Sequence, residues 1–272
     1  MRSLSLLSLA VAAGCAPSVM PGAGAADAAP APDAAAPAPD AARRPDAAVP
    51  PAEMYVHTAD QLFVIDDREF ALTLVGPFGL DGSESGMTDI AVTPDGTLYG
   101  ITETRLFTID RATGAATYVA DVPGVSNVGL TFLPDGALLA TDAAGGVRRV
   151  DPATGAVTEI GSFGGGYATA GDLVAVADGT MFAVSDEGPN GDEHDNNVLL
   201  TVDTATGAAT PVGPIGFGGV FGCAVANNKV YAFTRAGEVI EIDPATGAGT
   251  LRRAYPGTSF WGAGVTPLVV IE

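Results

Sequence analysis

From residue 54 to the C-terminus, apolar and polar residues alternate in short runs separated by Asp, Asn, Gly and Pro. A period of two is the pattern of half-buried strands. Asp-Gly and Asn-Asn pairs supply the left-handed positions of tight hairpin turns. The clearest stretch predicts a strand over 88–93, a turn at Pro94-Asp95-Gly96, a strand over 97–101 and a third over 105–110. A turn of the form Asp110-Arg-Ala-Thr-Gly114 follows, and then a fourth strand over 116–120. The same order recurs three times, with Asp151-Pro-Ala-Thr-Gly155, Asp203-Thr-Ala-Thr-Gly207 and Asp243-Pro-Ala-Thr-Gly247 between the third and fourth strands. Asp in this turn accepts backbone N–H bonds, Pro presets φ, and the closing Gly takes the left-handed region.

Four strands recurring about every forty residues form the blade of a β-propeller. The third unit is longer because it carries an insertion over 185–197. A partial unit opens the body at Met54-Tyr-Val-His-Thr58, with strands over 61–67 and 70–75. Its turn, Asp66-Asp-Arg-Glu-Phe70, lacks Thr-Gly. The missing inner strand is expected from Trp261-Gly-Ala-Gly-Val-Thr-Pro267, which resembles residues 88–94. The predicted fold is therefore all-β: five four-stranded blades over 53–272, with the C-terminal strand closing the first blade and hiding the sheet edges.

The N-terminal part has a different pattern. Met1-Arg2 precedes a short apolar stretch over 4–13, too short to span a bilayer stably and suited to a secretory signal. It ends Val11-Ala-Ala-Gly14-Cys15. Residues 16–52 are mainly Ala, Pro and Asp, a composition that cannot build a core and predicts a disordered, extended tether. Signal (1–15), tether (16–52) and propeller (53–272) complete the domain plan.

Charge and cysteine content narrow the chemistry. The formal net charge is −20, which repels phosphate backbones and argues against a nucleic-acid partner. Two cysteines, Cys15 and Cys223, exclude a disulfide scaffold, and Cys223 in an apolar run reads as a core residue. The two histidines, His57 and His194, make multi-histidine metal catalysis improbable.

Ala13-Gly14-Cys15 resembles the lipobox of bacterial lipoproteins, although Ala12 stands where Leu is commoner. The resemblance implies lipidation of Cys15 and a lipid anchor as the membrane partner, the outer membrane being favoured because Ala16 is not Asp. The repeat body is similar to the group of NHL-like, YVTN-like and quinoprotein-like propellers. Leu106 to Gly114 looks most like a quinoprotein repeat, yet the tryptophans that group carries after Thr-Gly are replaced at Tyr118, Glu159 and Pro211. A quinone cofactor is accordingly not expected.

Two places differ between copies and hold candidate chemistry. Aligned blades place Asp89, Gly129, Asp172, Phe221 or Gly222, and Gly262 at the start of the inner strands. Asp89 and Asp172, with Asn127, are candidate ligands at the channel mouth, where Ca2+ is the cation their oxygens would suit. The competing reading is that each Asp caps backbone N–H groups. The insertion 185–197 carries Asp186, Asp192 and Asp195, either metal ligands or a solvated hairpin tip. No nucleophile–base arrangement stands out. The expectation is a monomeric, lipid-anchored envelope protein whose propeller binds a protein or glycan without catalysis or a required cofactor. The alternative is a cation-dependent hydrolase or lactonase acting at the channel mouth.

Overall fold

A computed structural model describes residues 53–124, 126–188, 191–192 and 196–271, all within the compact unit Ala48–Glu272. The signal, Cys15 and the whole tether lie outside the described residues, as does Asp195.

Five antiparallel sheets of radial strands form a ring, with no helix among the described residues. The first is assembled from both chain ends, in the order β21 (Gly262–Gly264), β1 (Met54–His57), β2 (Gln61–Ile65) and β3 (Leu72–Pro77). The next four follow the chain. They are β4 (Asp89–Val92) to β7 (Ala116–Asp121) through β5 (Leu98–Ile101) and β6 (Arg105–Ile109), then β8 (Asn127–Phe132) to β11 (Val157–Ser162) through β9 (Leu138–Asp142) and β10 (Gly146–Val150). The fourth blade holds β12 (Ala168–Ala175), β13 (Met181–Gly188), β15 (Val198–Val202) and β16 (Ala209–Pro214), with the two-residue β14 (Gly191–Asp192) paired to β13. The fifth holds β17 (Val220–Ala226), β18 (Lys229–Thr234), β19 (Glu238–Ile242) and β20 (Gly249–Ala254). This is the five-bladed propeller expected, closed by β21 on β1 with His57 opposite Gly262.

Burial falls outward along each blade. Inner β4 is buried throughout, whereas outer β7 and β20 are largely exposed. Apolar residues therefore crowd the first three strands, where facing blades sandwich them, and the fourth alternates toward solvent.

The repeated turn holds more than a hairpin. Asp110 Oδ1 accepts the N–H groups of Ala112 and Thr113 at 2.9 Å each, and Gly114 closes the turn at φ 79°. Asp151, Asp203 and Asp243 repeat the arrangement. These turns then dock on the preceding blade. A β-carbon at Gly76 would strike Thr113 O, one at Gly161 would strike Thr206 O, and one at Gly213 would strike Thr246 O. Each of those glycines follows a bulge in the outer hairpin of its blade, a place where backbone bends to receive a neighbour.

At the closing junction the devices change. The Asp66 turn keeps its Asx bonds to Arg68 and Glu69 N–H, but Phe70 occupies the left-handed position at φ 54°. Its ring packs on Tyr231 at 5.5 Å, and its carbonyl accepts the Tyr255 hydroxyl from the fifth blade.

Candidate functional site at the ring axis

The inner strands run from one face of the ring to the other, and their starts converge. Glycines make this approach tight. A β-carbon at Gly129 would strike Gly171 O, and one at Gly171 would lie 2.7 Å from Phe221 O. Strand irregularities between Thr169 and Leu173, and between Asn127 and Gly129, occur at the same level. Such bulges re-aim side chains, and Asp172 sits inside the first.

Asp89 and Asp172 meet at this point, buried to 0% and 1% exposure. Asp89 Oδ1 accepts Ile90 N–H at 2.8 Å and Oδ2 accepts Leu130 N–H of the third blade at 2.6 Å. Asp172 Oδ2 accepts Cys223 N–H of the fifth blade at 2.6 Å and Ala263 N–H of the first at 3.0 Å. The two carboxyls lie close enough that each affects the other's ionisation. The pair thus ties all five inner strands together. Strands of separate radial sheets do not pair with one another, so N–H groups at the axis need another acceptor. Burial raises both carboxyls well above their ordinary range, and the neighbouring Asp172 charge raises Asp89 further.

His57 completes the cluster. It ends β1, is fully buried, and its Nδ1 lies 2.8 Å from Thr58 O. A carbonyl only accepts, so Nδ1 carries the hydrogen and Nε2 faces inward as an acceptor without a partner. Burial lowers its pKa to about 4. A β-carbon at Gly262 would fall inside contact distance of both His57 Nε2 and Asp89 Oδ1, so these atoms share one notch.

Asn127 stands apart from the carboxylate pair. Its Nδ2 donates to Glu103 O at 2.8 Å, and its Oδ1 accepts from Arg148 Nη2 at 3.0 Å. Arg148 is 1% exposed, and it also forms an ion pair with Asp142 at 3.9 Å. Neither His57 nor Arg148 is among the site residues expected from the sequence. Arg148 was detectable: equivalent places in other blades hold Phe63, Phe107, Leu200 and Ile240, as the matching outer-strand register shows. His57 had no such signal, because its surroundings come from the opposite chain end.

Asp186 lies on β13 and Asp192 on β14, while Asp195 and the positions of all three side chains lie outside what is described. Among the described residues, no three His, Cys, Asp or Glu side chains are grouped to hold a metal ion. Cys223 is buried in β17, and burial pushes its thiol well up.

No family model and no curated protein matches the chain. Among solved structures, one similar protein is a symmetrical protein of de novo evolutionary emergence shaped by folding constraints. It shares 16% identity over 80% of this chain and all of its own, with a TM-score of 0.53. A Bacteroides caccae protein of unknown function shares 12% identity over 76% of this chain and 73% of its own, at a TM-score of 0.44. The Staphylococcus aureus virginiamycin B lyase shares 16% over 72% of this chain and 63% of its own, at 0.43. The first supports the fold, and none of the three carries an assignment of function.

Proposed function

We propose that this protein is an exported, lipid-anchored envelope protein whose propeller is a binding module for a protein or glycan. The observation that carries the reading is the polarity of the ring. The chain joins it at Glu53 and Met54, on the face that holds the Pro94-Asp95-Gly96 and Asp110-Arg-Ala-Thr-Gly114 turns; Arg111 bonds Glu53, Tyr55 Oη and Gly96 O there. The irregular loops occupy the opposite face. Residues 79–86, the Glu103–Arg105 bend, residues 122–124, residues 163–167 and the start of the β13–β14 hairpin at Ser185 all lie on that side. A tether running from a lipidated Cys15 would leave this face free to meet a partner.

The face is also chemically varied. Arg105 gathers Glu84, Asp81 and Asp121 at 3.3, 3.6 and 3.7 Å, beside a shallow hollow lined by Glu103, Pro123 and Ser126. By contrast, three of the four axial carboxylate oxygens are occupied by backbone N–H groups. That occupation favours binding over the alternative of cation-dependent hydrolysis at the channel mouth.

The test is capture from native membranes by the full chain. Substitutions in the 79–86 and 185–197 loops should abolish recovery of a partner, and substitutions in the turns of the opposite face should not. Equal capture by both sets, or loss only from the second, would overturn the reading. Cys15→Ala should release the protein into the aqueous phase; continued partition into detergent would remove the lipid anchor.

A further inference from the structure

The axial pair leaves one hydrogen-bond requirement open. Asp172 Oδ1 is buried and receives no N–H or O–H from any ordinary donor, although its sister oxygen accepts two. The Asp89 carboxyl is its neighbour: Asp89 Oδ1 borders Gly262, and the next residue, Ala263, donates its N–H to Asp172. Two ionised carboxylates in contact in a dry interior repel, and a hydrogen between them converts the repulsion into a bond. We propose that the axis is a one-proton site: Asp89 and Asp172 share a single hydrogen, held between the Asp89 carboxyl and Asp172 Oδ1, and this hydrogen allows the five inner strands to close on one point. The proposal stands independently of any binding role.

The surroundings decide where the hydrogen resides. Cys223 and Ala263 N–H groups converge on Asp172 and favour its charge, while that charge holds the hydrogen on Asp89. The titratable groups facing the pair are His57 from β1, kept neutral by burial, and the Cys223 thiol from β17, kept protonated by burial. β8 and β21 meet the pair through the backbone of Leu130 and Ala263. The buried cation Arg148 of β10 is engaged with Asn127 and Asp142.

The folded pair binds a proton that an unfolded carboxylate has already lost above its ordinary range. The native state therefore holds more protons, and stability falls as pH rises through the folded value. The two positions also respond differently to an amide. At 172, the amide oxygen can take the place of Oδ2 and accept both N–H groups, while the NH2 takes the place of Oδ1 and donates permanently to Asp89. At 89, both oxygens already accept N–H groups, so an amide must turn its NH2 against Ile90 or Leu130.

Thermal unfolding of the full chain from about pH 6 to about pH 9 is the test. The wild-type Tm should fall across this range. Asp172→Asn should stay level and reach or exceed wild type at the alkaline end, and Asp89→Asn should lie below both throughout. A level wild-type profile, or an Asp172→Asn profile that falls with it, overturns the proposal. If the variants do not fold, infrared spectroscopy of the wild type decides. A protonated carboxylic-acid carbonyl band should persist at neutral pH, and its absence overturns the proposal. A rise in wild-type Tm on adding calcium or zinc chloride, with loss of that band, would make the site a cation site and overturn it equally.

Discussion

Gly262 and His57 show how little room the axis leaves. Gly262 has an ordinary strand conformation, so its requirement is spatial: a β-carbon would enter the notch shared by His57 Nε2 and Asp89 Oδ1. Both atoms belong to buried side chains that cannot swing into solvent. Gly262→Ala should lower stability by about 1–3 kcal/mol, the usual cost of overpacking, as read by urea unfolding. An unchanged midpoint would mean the axis is looser than described. His57 has its own signature. Its folded pKa, about 4, lies below the ordinary 6.5, so the unfolded chain binds the extra proton between these values. Its contribution is complete above about pH 6.5 and is lost as pH falls toward 4, by about 3 kcal/mol at most. His57→Phe should flatten that acid limb in a Tm–pH profile; an unaltered limb would place the titrating group elsewhere.

Among the elements, the repeated turns and the outer hairpins act as matched parts. Gly161 and Gly179 separate the two demands a glycine can meet. Gly179 needs only a left-handed φ of 88° and has open space around it, whereas Gly161 faces Thr206 O of the next blade. Gly179→Ala should cost about 1 kcal/mol of backbone strain. Gly161→Ala should cost more than that, because two backbones must part. Denaturant unfolding of both variants tests the ranking, and the reverse order would show that the docking contact is slack. The strand-and-turn order of these elements was readable from alternation and Asp-Gly spacing. That the Thr-Gly turns dock on the preceding blade was not, because the partner glycine lies in another hairpin. The departure at Asp66-Asp-Arg-Glu-Phe70 was readable as an exception. Its cause, packing against Tyr231 and Tyr255 at the closing junction, required the fold.

For the whole molecule, closure is a single event. β21 supplies both the inner partner of β1 and the Ala263 N–H that Asp172 accepts. A chain ending before Gly262 should lose cooperative unfolding and bind a hydrophobic dye, since the first blade then exposes an unpaired inner edge. A truncated chain with a single sharp transition near that of wild type would contradict the role of β21. Stability should also be confined to a window of pH, limited on the acid side by neutral His57 and on the alkaline side by the axial carboxyls.

The amino-acid sequence alone determined the blades, their number and the closing strand, because alternation and turn chemistry are local and each blade repeats them. It also singled out Asp89 and Asp172, since repeats expose positions that differ. Only the tertiary structure decided what those carboxyls do. Their partners, Leu130, Cys223 and Ala263, come from three other blades, and His57 reaches them through strand pairing between opposite chain ends. Hydrogen-bond satisfaction at a buried axis depends on distances across the ring, which no run of neighbouring residues encodes.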